Sequence, residues 1–190
     1  MRPISGIIAT LLLLTACTGC DNNEEAFPDP AFKACVKNRL DQYSIIWDKK
    51  YSIENEKDLE IIEGIGCDGG GVFSVKGAEK LINVQELGLN SNQIESVEPL
   101  RHLKKLELLN ISDNKLSNIE PLAEVSSLKN LNFMGNYVKD ILSLVTLTGL
   151  QYLYTKANCI TDQTQFETIQ TAIPELKIRG EDEQDPSRCQ

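Results

Sequence analysis

From Val84 to Ile169 the chain repeats itself every 22 residues without a slip of register. A period of that length marks a stacked solenoid, so few other folds remain open. Val84, Leu106, Leu128 and Leu150 share the first column of the repeat, and Leu87, Leu109, Leu131 and Leu153 the fourth. Leu89, Ile111, Phe133 and Thr155 fall in the sixth column, and Asn92, Asn114, Asn136 and Asn158 in the ninth. Later apolar columns hold Ile94, Leu116, Val138 and Ile160; Val97, Ile119 and Ile141; Leu100, Leu122, Leu144 and Phe166; and Leu103, Val125, Leu147 and Ile169.

Side chains alternate along a strand, so columns four and six share one face of a short strand, while the wider spacing that follows suits a turn or a loose helix. Each row is then one coil. A lone coil cannot bury its apolar edge, but coils stacked about 4.8 Å apart join their strands into a parallel sheet and their apolar columns into one core. The asparagine column sits where the strand ends and the chain turns inward. An amide side chain can both donate to and accept from backbone groups there, each of which costs roughly 1–3 kcal/mol if left unpaired.

The pattern Leu-x-x-Leu-x-Leu-x-x-Asn-x-Ile-x-x-Ile-x-x-Leu-x-x-Leu resembles the leucine-rich repeat, and its length resembles the bacterial internalin-like class. That resemblance implies an α/β leucine-rich repeat solenoid. Its short parallel β-sheet would line a concave face, turns or 3-10 segments would form the convex face, and a helical cap would cover the N-terminal end. It also implies a binding surface rather than one reaction, since function resides in sites and not in folds.

One period before Val84 lies a degenerate row with Ile62, Ile65, Cys67, Val72, Val75, Ala78 and Leu81 in the apolar columns and Gly70 in place of asparagine. The repeats therefore occupy 62–171, as 62–83 (degenerate), 84–105, 106–127, 128–149 and 150–171. Gly69-Gly70-Gly71 lacks the lysine and hydroxyl residue of a phosphate-binding loop and reads as a loosened turn.

Before the repeats, the segment 29–61 reads as the cap. Asp29-Pro30 is a helix-start signal, and Phe32, Cys35, Val36, Leu40 and Tyr43 form an apolar stripe on a helix expected over residues 30–42. Ile45 and Trp47 are expected to complete the seal. After the repeats, 172–190 reads as a C-terminal cap and tail: Ile173, Leu176 and Ile178 repeat the strand columns after a one-residue insertion, giving a final edge strand. Pro174, Glu175, Lys177 and Arg179 suit such an edge, where proline and charge discourage pairing with another chain.

Cys35 on the buried helix stripe and Cys67 in an inward column can meet. Of the three ways to pair these two with Cys159 and Cys189, bonds joining opposite ends of a stack are excluded, which leaves Cys35 with Cys67 and Cys159 with Cys189. Such bonds persist in exported chains; buried free thiols are the alternative. The second bond would strap the acidic tail over the open end.

The extreme N-terminus, residues 1–16, reads as a signal peptide: Arg2, an apolar run from Ile7 to Leu14, then small residues and cysteines. Leu14-Thr15-Ala16-Cys17 resembles the lipobox of bacterial lipoproteins, which implies lipidation at Cys17 and a polar tether over 17–28. Cys20 is the alternative lipidation site, and an ordinary secretory signal the alternative to both. A lipid-anchored protein of the cell envelope is implied, at the outer membrane or cell surface, with a periplasmic or secreted location as the alternative. The choice of cysteine bears on sorting, because Asp21 after Cys20 resembles an inner-membrane retention signal, whereas Thr18 after Cys17 permits export to the outer membrane.

In leucine-rich repeats the strand side chains outside the core line the concave face, here columns three, five and seven. Column three runs Gly64, Glu86, Leu108, Asn130, Tyr152; column five Gly66, Gly88, Asn110, Asn132, Tyr154; column seven Asp68, Asn90, Ser112, Met134, Lys156. Tyrosine is enriched at the energetic centres of interfaces. Tyr152, Tyr154, Met134 and Leu108 are therefore the expected contact patch, with Asn110, Asn130, Asn132, Glu86 and Lys156 around it; packing of both tyrosines under the C-terminal cap is the competing reading. The single histidine, His102, falls on the convex side, and no second histidine is present for a metal site. No enzyme and no cofactor are expected. A formal net charge of −9 disfavours nucleic acid. The expected partner is a protein or peptide, or a glycan, on the concave face of a monomer that meets the membrane only through its lipid. A structural envelope lipoprotein without a soluble ligand is the alternative class.

Overall fold

The computed structural model describes residues 25–189. The expected signal peptide, the candidate lipidation sites Cys17 and Cys20, and most of the expected tether lie outside the described residues. Six three-residue strands, β1 (Gly64–Gly66), β2 (Glu86–Gly88), β3 (Leu108–Asn110), β4 (Asn130–Asn132), β5 (Tyr152–Tyr154) and β6 (Lys177–Arg179), form one sheet in chain order. All neighbours are parallel, and the first five keep the 22-residue register: Ile65 pairs with Leu87, Leu87 with Leu109, Leu109 with Leu131 and Leu131 with Leu153. The fourth-column side chains point into a core that runs the length of the stack. The returning limbs are 3-10 turns over Ala78–Lys80, Glu98–His102, Glu120–Glu124 and Leu142–Thr146. Glu-Pro opens the second and third of these, where a proline's missing N–H has no partner to lose.

The asparagine column fastens coil to coil. Asn136 donates through Nδ2 to the carbonyls of Ile111 in the preceding coil (3.0 Å) and of Phe133 in its own (2.9 Å), and its Oδ1 accepts from Leu116 N–H (2.9 Å). Asn92, Asn114 and Asn158 repeat this arrangement. Each amide reaches back one coil. The first coil has no predecessor, which accounts for Gly70 in the degenerate row. The residue before each asparagine position is left-handed in all five rows: Gly69, Ser91, Asp113, Gly135 and Ala157 have φ of 53–68°. An L side chain costs roughly 1–2 kcal/mol in that conformation, so three of the five coils carry a small local strain at the same place.

At the N-terminal end, α1 (Pro30–Trp47) lies over the first coil. Asp29 caps it: Oδ1 accepts from Ala31 and Phe32 N–H, both at 2.9 Å. Its Oδ2 accepts from Phe73 and Ser74 N–H in the first coil (2.7 and 2.9 Å), so one buried carboxylate both starts the helix and pins it to the stack. The helix runs five residues beyond its expected end at Gln42, because nothing in Tyr43–Trp47 breaks it until Asp48 turns left-handed (φ 48°) and donates its N–H to the Ser44 carbonyl. The expected sealing role of Ile45 and Trp47 is corrected. Ile45, Ile46 and Trp47 are 82%, 67% and 65% exposed, and the seal is made by Phe27, Phe32, Val36 and Leu40 with Leu59 from α2 (Glu56–Leu59).

At the other end, Ile178 pairs with Leu153 and so occupies the fourth column, not the sixth. The insertion before β6 is thus three residues, not one: Tyr152 pairs with Lys177, 25 positions on. The cause is that the fifth row returns through an α-helix, α3 (Thr164–Ala172). An α-helix rises about 1.5 Å per residue against about 2.0 Å for a 3-10 turn, so more residues are needed to span the same coil. Cys35–Cys67 and Cys159–Cys189 are both disulfide-bonded, the first tying α1 to the first coil and the second holding the tail.

Candidate recognition surface

Columns three and five of each strand stand opposite the buried fourth column and form the outer face of the sheet. Leu108 is 37% exposed there, Glu86 and Lys156 are exposed, and Asn110, Asn130, Asn132, Met134, Tyr152 and Tyr154 are half-buried by their neighbours. The strands bring all of these onto one face. Both tyrosines lie on β5, and Met134 lies beside them just beyond β4. Glu86 stands apart, three strands away on β2.

The amides are pre-set. Asn110 Oδ1 accepts from Ser112 N–H (3.3 Å) and Asn132 Oδ1 from Met134 N–H (3.1 Å). With the carbonyl ends held by the backbone, the donor ends are left for a ligand. Ser112, Asp113, Asn132, Met134, Gly135, Lys156 and Ala157 enclose a shallow hollow of about 260 Å³ beside this patch. Gly135 shapes it, since a Cβ there would collide with the Asp113 carboxylate.

Two further members of this face come from β6. Because Lys177 pairs with Tyr152 and Arg179 with Tyr154, both cations stand on the concave side next to the tyrosines. Lys177 Nζ lies 5.0 Å from the centre of the Tyr152 ring and donates to its hydroxyl at 3.3 Å. Arg179 is exposed and has no carboxylate partner among the described residues. Lys156, by contrast, is ion-paired with Glu183. From sequence alone Lys177 and Arg179 read only as edge charges. The signal that points to them is the apolar Ile178 between two cations, the same x-apolar-x alternation as in every other strand.

The convex face is arranged differently. Arg101 bridges Glu98 and Glu124 across two coils, and hydrogen bonding to Arg101 holds the Glu124 carboxyl below its ordinary range. His102 is exposed at the end of its 3-10 turn. No group of three His, Cys, Asp or Glu side chains among the described residues is placed to hold a metal ion. No helix among them is long and apolar enough to cross a membrane.

Comparison with known proteins agrees with this geometry. A family model of leucine-rich repeats, two copies, matches residues 82–124. An internalin from Listeria monocytogenes, InlF, is 25% identical with a TM-score of 0.61 over 80% of this chain and 49% of its own. Internalin C2 from the same organism is 27% identical with a TM-score of 0.58, covering 81% of this chain and 74% of its own. A leucine-rich repeat protein of Leptospira interrogans is 27% identical with a TM-score of 0.50, over 54% of this chain and 27% of its own. The chain thus spans about half the length of the InlF structure. No curated protein matches it in sequence. The repeats, the parallel sheet and the asparagine column together give this chain a leucine-rich repeat fold similar to that of the bacterial internalins.

Proposed function

We propose that the chain is a non-enzymatic binding module that presents its concave sheet to another protein. The observation that carries this reading is the placement of Leu108, Met134, Tyr152 and Tyr154 on a rigid face, while a separate set of apolar side chains fills the core. Those four are not needed to close the solenoid, and large apolar groups held together at a surface mark interaction sites. Six strands at about 4.8 Å give a face about 25 Å across. A standard interface needs roughly 800 Å² per partner, so a peptide, a loop or a small domain fits.

Leu14-Thr15-Ala16-Cys17 supports a further part of the proposal, attachment to a bacterial envelope membrane through a lipid on Cys17, with Cys20 as the alternative. In that arrangement the solenoid is held close to the bilayer while its concave face stays free.

The test is the double substitution Tyr152→Ala and Tyr154→Ala in the intact chain. Cross-linking on cells through a concave-face position should capture a dominant protein partner with the unsubstituted chain and lose it with the double variant. The melting temperature should stay nearly unchanged, because neither ring is part of the core. Unfolding of the variant, or capture indifferent to both rings, contradicts the proposal.

A further inference from the structure

We infer that the C-terminal end of the concave face, formed by β5 and β6, selects a polypeptide segment bearing carboxylates. This rests on the concave-face reading above and narrows it to a chemical class of partner. Tyr152 is paired with Lys177 and Tyr154 with Arg179 across β5 and β6, with the buried Leu153–Ile178 pair between them, so two tyrosine–cation pairs stand two residues apart on one face, and Lys177 lies over the Tyr152 ring. The two cations lie on the same side of β6 two residues apart, hence about 6.6 Å along the strand. That spacing suits two acidic side chains on an extended or helical segment.

Each group here is set to donate. Arg179 has a planar guanidinium with no carboxylate partner among the described residues, and such a fork matches a carboxylate bidentately. The Tyr152 hydroxyl accepts from Lys177 Nζ, which leaves its own proton for an incoming acceptor. Asn132, one strand before Tyr154, has its carbonyl end tied to Met134 N–H, and its amide N–H groups remain to donate. No carboxylate among the described residues forms an ion pair with Lys177 or Arg179; Glu183, in the tail after β6, is already paired with Lys156.

The rest of the molecule decides between a few carboxylates and a dense polyanion. The chain carries a formal net charge of −9. Glu86, on the same face, lies four strand spacings from Lys177, about 19 Å away. A nucleic acid laid along the sheet would leave its cationic end and meet that acidic one, whereas a short acidic segment engages β5 and β6 alone.

The test uses random twelve-residue peptides displayed on phage and panned on the purified full chain, on Lys177→Glu/Arg179→Glu, and on Tyr152→Ala/Tyr154→Ala, each first shown by circular dichroism to melt as the unsubstituted chain does. The expected result is enrichment of Asp and Glu in the selected peptides, loss of their binding by about tenfold or more on charge reversal, and recovery on the reversed variant when the peptide acids are exchanged for lysines. If the selected peptides need the tyrosines but show no acidic bias, or ignore the charge reversal, the acidic preference is overturned and the concave-face reading stands. If no selected peptide depends on either pair, both fall. If a twelve-nucleotide oligothymidylate binds as tightly as the peptides, general attraction of polyanions accounts for the cations and the inference also fails.

Discussion

Asn136, in the ninth column, is fully buried, and its amide answers three carbonyls and one N–H drawn from two successive coils. Asn136→Ala leaves the buried Leu116 N–H without a partner and removes one donor from each of the three carbonyls, which still accept from Asn114, Asn158 and Asp113 N–H. At roughly 1–3 kcal/mol for the N–H left unpaired, and up to about 1 kcal/mol for each hydrogen bond lost at a carbonyl that keeps another donor, a loss of about 2–4 kcal/mol is expected in a urea melt. A loss under about 1 kcal/mol would mean that water enters and replaces the amide. This role is legible in the sequence, because four asparagines at a fixed interval put the same donor and acceptor at the same turn of every coil. The left-handed column beside them is not. Ser91, Asp113 and Ala157 share no residue type, and only the glycines at 69 and 135 hint at positive φ; the conformation is set by the fold around the turn and overrides local preference.

At the scale of elements, the regular coils are readable and the two end pieces less so. The apolar columns of the repeats set the strand positions, since a one-residue slip would turn the core leucines outward. The ends lack that redundancy. For α1, the apolar stripe locates the buried face but not the stopping point, and three apolar residues after Tyr43 suggest packing that the fold does not use. Their exposure yields a direct optical check, since Trp47 is the only tryptophan in the chain. Its emission in the native protein should already lie near that of the solvated indole and move little on unfolding in guanidinium. Ile46→Ser should leave the melting temperature within about 1 °C, as is usual for exposed sites away from caps and cores. A native emission well to the blue, lost on unfolding, would mean that α1 ends in a packed seal after all. For the last coil, three extra residues are hidden in the ordinary helix formers of Thr164–Ala172. Gln165 shows how they are accommodated: it accepts from Ile141 N–H (2.9 Å) and donates to the Lys139 carbonyl (3.1 Å), bridging α3 to the coil before it.

For the whole molecule, a stack in which each coil touches only its neighbours has a stability that is approximately a sum along the stack, and it opens from whichever end is weaker. The N-terminal end is closed by α1, by Asp29 and by Cys35–Cys67. The C-terminal end has only α3, β6 and a tail held by Cys159–Cys189, so β6 is the edge with least behind it. A bond closing a loop of this size restrains the unfolded state by roughly 3–4 kcal/mol in the chain-entropy model. Replacing both Cys159 and Cys189 with serine should therefore act locally before it acts globally. Hydrogen exchange followed by mass spectrometry should show protection falling in β6 and the tail while the amides of β2, β3 and β4 keep theirs. Equal loss in all strands would mean that the stack opens as one unit and that the tail is no separate latch. The expected order also bears on binding. Lys177 and Arg179 ride on β6, so the cationic end of the concave face exists only while that strand stays docked. The serine variant should lose acidic peptides selected on the unsubstituted chain at temperatures where its circular dichroism is still that of a folded solenoid.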